Sequence, residues 1–203
     1  LAATDFDRDG RPEVWAGSYW TGIFALDGTT GAVLWRTDPA LDARHYPTVF
    51  PIDVESDGVF ELYVGDWGGS MGGNGTGRVY SFASGFSGTV TVTTLDVSVH
   101  GYWNAYGQDP GDMDGDGRPD ILALSHDRAI LYDPATGAPR LTSPDISPIP
   151  FGSAQLALAD VDGDGRDEAI VASNMAGGLF ATAKRFGVLE VESGALSARW
   201  QVF

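Results

Sequence analysis

Asp112-Met-Asp-Gly-Asp-Gly-Arg-Pro-Asp120 is an acidic stretch that leads directly into the apolar run Ile121-Leu-Ala-Leu124. Its pattern, D-x-[DE]-x-D-G-x-x-[DE], occurs four times. We name the copies loop one (5–13), loop two (53–61), loop three (112–120) and loop four (160–168). A single Asp-Gly-rich stretch is typical of an ordinary turn, but four copies that share five fixed positions indicate a repeated binding loop.

The residue types in these loops predict calcium sites. Ca²⁺ takes about six to eight oxygen ligands, and alternate acids in a tight turn can point their carboxylates at one centre. The glycine at position 6 permits the sharp turn. The predicted ligands are the acids at positions 1, 3, 5 and 9 and the carbonyl of position 7, for up to four ions: Asp5, Asp7, Asp9, Arg11 and Glu13; Asp53, Glu55, Asp57, Val59 and Glu61; Asp112, Asp114, Asp116, Arg118 and Asp120; Asp160, Asp162, Asp164, Arg166 and Glu168.

The four loops are not predicted to bind calcium equally well. Loops three and four have the fullest motif. Loop two is predicted to be the weakest, because Glu55 replaces aspartate at position 3 and its longer side chain shifts the carboxylate.

The position of the last acid favours a β-sheet context over a helical one. In an EF-hand the final acid is at position 12, at the start of a helix, whereas here it is at position 9. Short β-prone runs follow each loop, and apolar residues precede loops one, two and four, so each loop is predicted to join two strands as a hairpin. The runs that follow are Val14-Trp-Ala, Leu62-Tyr-Val, Ile121-Leu-Ala-Leu and Ala169-Ile-Val-Ala.

The spacing of the loops predicts a repeat architecture. The loops begin at Asp5, Asp53, Asp112 and Asp160, which gives spacings of 48, 59 and 48 residues. After each loop strand come a second apolar run, a turn and a further strand, so each unit is predicted to contain four antiparallel strands, as in a propeller blade. The predicted fold class is therefore an all-β propeller with repeats at about residues 1–46, 47–106, 107–152 and 153–203.

Whether 1–203 is one complete propeller domain or a segment of a larger one is left open by the sequence. Four units could close only as the smallest propeller. The first strand of repeat one is nearly absent, which favours a segment of a larger ring, or a ring completed by further blades from unseen sequence or another chain. The chain also lacks an initial methionine, and we expect sequence upstream of it.

Charge and composition exclude several classes of function. The formal charge is −16, with 28 acids against 12 Lys and Arg, and sixteen of those acids occupy the loop positions. Four Ca²⁺ would bring the net charge to about −8. This balance argues against a nucleic-acid partner, which needs a basic surface. The chain has no cysteine, so it has neither disulfides nor thiolate metal sites, and no apolar run is long enough to insert into a membrane.

All four repeats carry a resemblance to a known family, and one segment shows it most fully. Phe151-Gly-Ser-Ala-Gln-Leu-Ala-Leu-Ala-Asp-Val-Asp-Gly-Asp-Gly165 resembles the FG-GAP/VCBS repeats of integrin α-chain propellers and many bacterial surface proteins, and Tyr106-Gly107 is similar to its Phe-Gly element. The Gly-Ala-Pro half of the family motif is missing. The resemblance implies an extracellular, calcium-stabilised propeller. The hairpins around Asp27 and Asp133 also look like quinoprotein-type blades, although Asp-x-x-Thr-Gly is simply a good hairpin turn.

A ligand surface is predicted opposite the calcium loops. If the loops join the first and second strands, the links from the second to the third strand and from blade to blade lie on the opposite face. Aromatic residues beside Asp, Asn and His are typical of sugar sites. The candidate ligand residues are Tyr19, Trp20, His45, Tyr46, Asp66, Trp67, His100, Tyr102, Trp103 and His126. By contrast, Trp15, Trp35 and Trp200 lie within predicted strands and are expected to pack between blades.

The sequence is consistent with three functions. We favour a noncatalytic extracellular module for adhesion or recognition of a glycan or protein, because no G-x-S-x-G, H-E-x-x-H or phosphate-binding glycine loop is present. The first alternative is a polysaccharide lyase-like carbohydrate-active enzyme in which His45, His100 or a nearby tyrosine acts as the base. The second is a structural repeat of a surface fibre or appendage. Enzymatic activity is thus left open, with a noncatalytic function favoured.

Overall fold

The computed structural model describes residues 1–18, 22–37, 48–66, 76–96, 108–124, 128–144, 154–173 and 185–202. Within these ranges every regular element is a strand, and none contains a helix that could span a membrane. The strands are β1 (Ala2–Thr4), β2 (Glu13–Ser18), β3 (Gly22–Asp27), β4 (Val33–Arg36), β5 (Thr48–Ile52), β6 (Glu61–Asp66), β7 (Thr76–Phe86), β8 (Val90–Thr94), β9 (Gln108–Gly111), β10 (Asp120–Leu124), β11 (Ala129–Tyr132), β12 (Pro139–Thr142), β13 (Ala154–Ala159), β14 (Glu168–Ser173), β15 (Arg185–Glu192) and β16 (Ala195–Val202).

The strands form four separate sheets, each with four strands in chain order. Sheet I contains β1–β4, sheet II β5–β8, sheet III β9–β12 and sheet IV β13–β16, and every pairing is antiparallel. The prediction of an all-β chain with four-stranded repeats is therefore confirmed. The first strand of repeat one, which is nearly absent in the sequence pattern, is present as the three residues of β1.

Apolar residues between consecutive sheets form three buried clusters. Alternation along a strand sends neighbouring side chains to opposite faces, so one sheet can contribute to two clusters. In β6, Leu62 and Val64 pack towards sheet I, whereas Tyr63 packs towards sheet III. The first cluster joins sheets I and II, the second joins sheets II and III, and the third joins sheets III and IV. None of these three clusters combines residues of sheets I and IV.

Aromatic side chains dominate the boundary between sheets I and II. Trp15 is fully buried and lies against Phe6, with ring centroids 4.8 Å apart in an edge-to-face arrangement. Trp35 is half-buried and packs 5.0 Å from Phe82. The expectation that Trp15 and Trp35 pack between sheets is confirmed. Trp200 lies in β16, as predicted.

The Asp-x-x-Thr-Gly turns close the hairpins between the third and fourth strands of sheets I and III. In sheet I the Asp27 carboxylate accepts N–H bonds from Thr29 and Thr30, at 2.9 and 2.6 Å. Gly31 has a φ of 72° and donates its N–H to the Asp27 carbonyl. Asp133 and Gly137 repeat the arrangement in sheet III. Local side-chain to backbone bonding of this kind explains both turns.

Candidate metal centres

The four acidic loops occupy equivalent places, because each connects the first and second strands of its sheet. Neighbouring loops also touch one another. Ser56 Oγ of loop two donates a hydrogen bond of 2.7 Å to the Gly117 carbonyl of loop three. Asp167 of loop four bonds to Asp112 of loop three through both its carboxylate and its amide. Loops two, three and four thus lie side by side.

A common set of internal hydrogen bonds gives all four loops the same shape. The carboxylate at position 1 accepts the N–H of the glycine at position 6, at 3.0, 2.7, 2.8 and 3.0 Å in chain order. The carboxylate at position 5 accepts the N–H of position 7, at 2.8, 2.7, 2.9 and 2.9 Å. The acids that the sequence places in the motif therefore also build the turn that holds them together.

Left-handed backbone conformations are required at two places in each loop. The position 6 glycines have φ values of 88°, 79°, 84° and 88°. Position 4 is also left-handed, and there loops three and four have Gly115 and Gly163, whereas loops one and two have Arg8 (φ 63°) and Ser56 (φ 55°). A non-glycine residue in this region costs roughly 1–2 kcal/mol. Loops three and four thus form with less backbone strain, in agreement with their fuller motif.

The acid at position 9 is buried in every loop. Glu13, Glu61, Asp120 and Glu168 are between 0 and 6% exposed. The three glutamates each accept the N–H of position 2, at 2.7, 3.1 and 2.9 Å. Burial raises the pKa of Glu61 to about 7 and that of Asp120 to about 7, and it also raises the pKa of Glu13. Negative charge on Glu13, Glu61 and Asp120 is therefore unfavourable without a compensating cation.

Three loops bring the acids of positions 1, 3 and 9 together, with one oxygen of each acid within 4.8 Å of the others. The sets are Asp5, Asp7 and Glu13; Asp112, Asp114 and Asp120; Asp160, Asp162 and Glu168. Among the described residues, the acids of loop two form no such set, and Glu55 is exposed. This geometry agrees with the predicted weakness of loop two, since its acids do not converge.

Two carboxylate oxygens within these sets are buried without a hydrogen-bond partner: Oδ1 of Asp5 and Oδ2 of Asp120. A buried carboxylate oxygen without a partner is costly, and a cation bound to it removes that cost. The oxygen-only donor sets are those that hard divalent cations prefer. The residues present therefore fit Ca²⁺, most clearly in loop three, where Asp120 is 0% exposed.

The acids at position 5 do not converge with the other predicted ligands. Asp9, Asp57, Asp116 and Asp164 are exposed, bond to their own loop backbone and lie outside the three convergent sets. The position 7 residues Arg11, Val59, Arg118 and Arg166 donate their N–H groups to those acids, and the role predicted for their carbonyls stays a prediction.

Two arginines that the motif does not contain reach the loop acids. Nη1 of Arg140 lies 2.8 Å from Asp120 Oδ1, and its Nη2 pairs with Asp114. Nη1 of Arg199 lies 2.5 Å from Asp162 Oδ2 and holds the pKa of Asp162 below its ordinary value. Sequence reasoning missed both contacts, because these arginines lie 20 or more residues beyond the acids they meet.

A cleft of about 400 Å³ adjoins loop four. Its charged lining residues are Asp162, Asp164, Arg166, Glu168, Glu190, Glu192 and Arg199. Within this cleft Arg199 approaches Glu190 to 3.4 Å, and Arg166 of loop four donates to the Val191 carbonyl at 3.2 Å.

The ten candidate ligand residues predicted for the opposite face lie outside the described residues, except for the backbone of Asp66 at the end of β6. Their role stays a prediction. These residues are Tyr19, Trp20, His45, Tyr46, Asp66, Trp67, His100, Tyr102, Trp103 and His126.

Comparison with known proteins identifies the repeat. Residues 112–171 match the model of the FG-GAP-like repeat, a range that includes loops three and four. The resemblance predicted from the loop motif is thus confirmed for that part of the chain. Among solved structures, the V. cholerae biofilm matrix protein Bap1 aligns at 20% identity and a TM-score of 0.44, over 98% of this chain and 38% of its own. The chain therefore spans less than half the length of that protein. No curated protein matches the chain.

Proposed function

We propose that this chain is an extracellular, noncatalytic recognition module whose loops are braced by Ca²⁺. The observation that carries the proposal is the convergence of three acids in loop three, one of which, Asp120, has a buried carboxylate oxygen without a hydrogen-bond partner. The FG-GAP-like repeat at residues 112–171 supports an extracellular location, in line with the surface propellers that share such repeats.

In this proposal calcium is held by Asp5, Asp7 and Glu13 in loop one and by the corresponding acids of loops three and four. The ion supplies positive charge that offsets the repulsion among carboxylates held within 4.8 Å of one another. It thereby fixes the turn between the first two strands of a sheet. Because hydrogen bonds link loop two to loop three and loop three to loop four, this bracing extends across those three loops.

We further propose that the four sheets are consecutive blades of a propeller that has additional blades. In the strand that follows each loop, the first and third residues after the loop pack against the preceding sheet. These residues are Leu62 and Val64 in sheet II, and Ala169 and Val171 in sheet IV. At the same positions of sheet I, Val14 and Ala16 are only half-buried. A further blade, from the same protein or another chain, would cover them as sheet I covers Leu62.

The partner is proposed to be a glycan or an extracellular protein that binds opposite the calcium loops, through aromatic residues such as Trp67 and Trp103. A glycan array with and without Ca²⁺ tests this part. Unsaturated products from an acidic polysaccharide would instead support a lyase. Filaments formed by the purified chain would support a structural fibre.

Calcium binding is tested directly by elemental analysis and thermal melting. We expect the purified chain to retain calcium and to melt at a lower temperature after chelation. Each site should add about 2.7 kcal/mol of stability when free Ca²⁺ is a hundredfold above Kd. An unchanged melt after metal removal, with loss of the metal verified by elemental analysis, would contradict a bracing role.

A further inference from the structure

The pairing of the third and fourth strands contains a bulge at the same place in three sheets. In sheet I, Val33 pairs with Leu26 and Trp35 pairs with Ala25, so Leu34 is the extra residue. In sheet III the extra residue is Arg140, between Pro139 and Leu141. In sheet IV it is Arg199, between Ala198 and Trp200. The described pairing of β7 with β8 in sheet II shows no such shift.

A bulge leaves one residue out of the ladder and changes the direction of its side chain. In sheets III and IV that side chain is an arginine, and it reaches the acidic loop of its own sheet. Arg140 bridges two members of the loop three set, Asp114 and the buried Asp120. Arg199 meets Asp162 of the loop four set at 2.5 Å. Both contacts therefore arise in the same way, from an arginine at the bulge of the fourth strand.

We infer that Arg140 and Arg199 are internal counter-cations of the calcium loops, which neutralise part of each ligand set when metal is absent and compete with Ca²⁺ for it. This inference rests on the proposed calcium function. The guanidinium of Arg140 takes Oδ1 of Asp120 and leaves Oδ2 without a partner, so it occupies only part of the site. Arginine suits this place because its planar group spans two carboxylates at once.

Two opposite consequences follow from the charge. Without metal, the arginine reduces the repulsion among the acids and stabilises the empty loop. When Ca²⁺ binds, the same positive charge weakens the field that attracts the ion. The arginine therefore narrows the difference in stability between the metal-free and metal-bound states, and it lowers calcium affinity. Sheet I has no such arginine, because its bulge residue is the uncharged Leu34, whose side chain is 37% exposed.

The experiment compares calcium titrations and metal-free melting of the unmodified chain with Arg140→Gln. We expect one calcium site to bind about tenfold more tightly at low ionic strength, with the gain shrinking as salt is added. The metal-free melting temperature should fall. Arg36→Gln is the matched control, because it removes an equal charge from β4, where the described residues show no ion pair with a loop acid. That control should leave both readouts unchanged.

The converse variant tests the inference without removing a native ion pair. Leu34→Arg places the same side chain at the equivalent bulge of sheet I, and it should weaken one calcium site and raise the metal-free melting temperature. Unchanged or weaker calcium binding in Arg140→Gln would overturn the inference while leaving the proposed function intact. Absence of calcium binding by the unmodified chain would instead overturn the proposed function.

Discussion

Asp167 and Asp112 are joined by two hydrogen bonds of opposite direction. The Asp112 N–H donates to Oδ2 of Asp167 at 2.9 Å, and the Asp167 N–H donates to the Asp112 carbonyl at 2.8 Å. Asp112 is the first predicted ligand of loop three, and Asp167 is the eighth residue of loop four. The corresponding residues of the other loops are Pro12, Phe60 and Pro119, so this link belongs to loops three and four alone.

We predict that Asp167→Ala destabilises the chain by about 1–2 kcal/mol, because the partly buried Asp112 N–H loses a charged acceptor. Asp167→Asn should cost less, since it keeps an oxygen at nearly the same place. Chemical denaturation of both variants in saturating Ca²⁺ checks this. Equal losses from the two variants would show that charge, and not the hydrogen bond, is responsible.

The acids at position 3 allow a direct comparison between loops. Asp7 belongs to a convergent set, whereas Glu55 is exposed and belongs to none. We predict that Asp7→Ala weakens one calcium site by roughly tenfold or more, because an ion loses a charged ligand, and that Glu55→Ala has little effect.

Glu55→Asp tests the same reasoning in the opposite direction. It restores the shorter side chain of the motif, and it should strengthen calcium binding at loop two. Titration calorimetry measures all three variants. A loss in Glu55→Ala equal to that in Asp7→Ala would contradict the ranking of the loops.

The metal-free chain should lose stability as the pH rises through about 7. The pKa of Glu61 is raised from 4.5 to about 7 because the side chain is buried. Between these values the folded state binds more protons than the unfolded state, so stability falls with rising pH. Thermal melting of the metal-free chain at several pH values measures how steeply stability falls with pH. Glu61→Gln should flatten this slope, and an unchanged slope in that variant would assign the effect to other acids.

Tryptophans in strands and in the predicted ligand surface should behave differently. Trp35 packs against Trp15 and Phe82, so Trp35→Ala should cost about 3 kcal/mol through the cavity that it leaves. Trp67→Ala and Trp103→Ala should instead weaken binding of a glycan or protein partner by about 2 kcal/mol or more. Thermal melting combined with binding assays separates the two effects. Unfolding caused by Trp67→Ala would contradict a role in ligand contact.

The sequence by itself determined the features that depend on neighbouring residues. Acids at alternate positions and a glycine at position 6 specify the loop, because the hydrogen bonds from Gly117 to Asp112 and from Arg118 to Asp116 span only five and two residues. The apolar runs after each loop specify strands, because this signal also depends only on residues that are close in sequence. Four strands per repeat, in chain order, then follow from short connections.

The tertiary structure alone decided which groups meet across the sheets. Arg140 reaches Asp114 across 26 residues of sequence, and Arg199 reaches Asp162 across 37. Both contacts depend on bulges in the outer strands, and a bulge has no sequence signature here, since Leu34 occupies the same place as the arginines. The Asp112–Asp167 link spans 55 residues and requires two sheets to pack side by side. Such contacts form when complete strands and sheets pack against one another, and the local pattern of residues does not predict that packing.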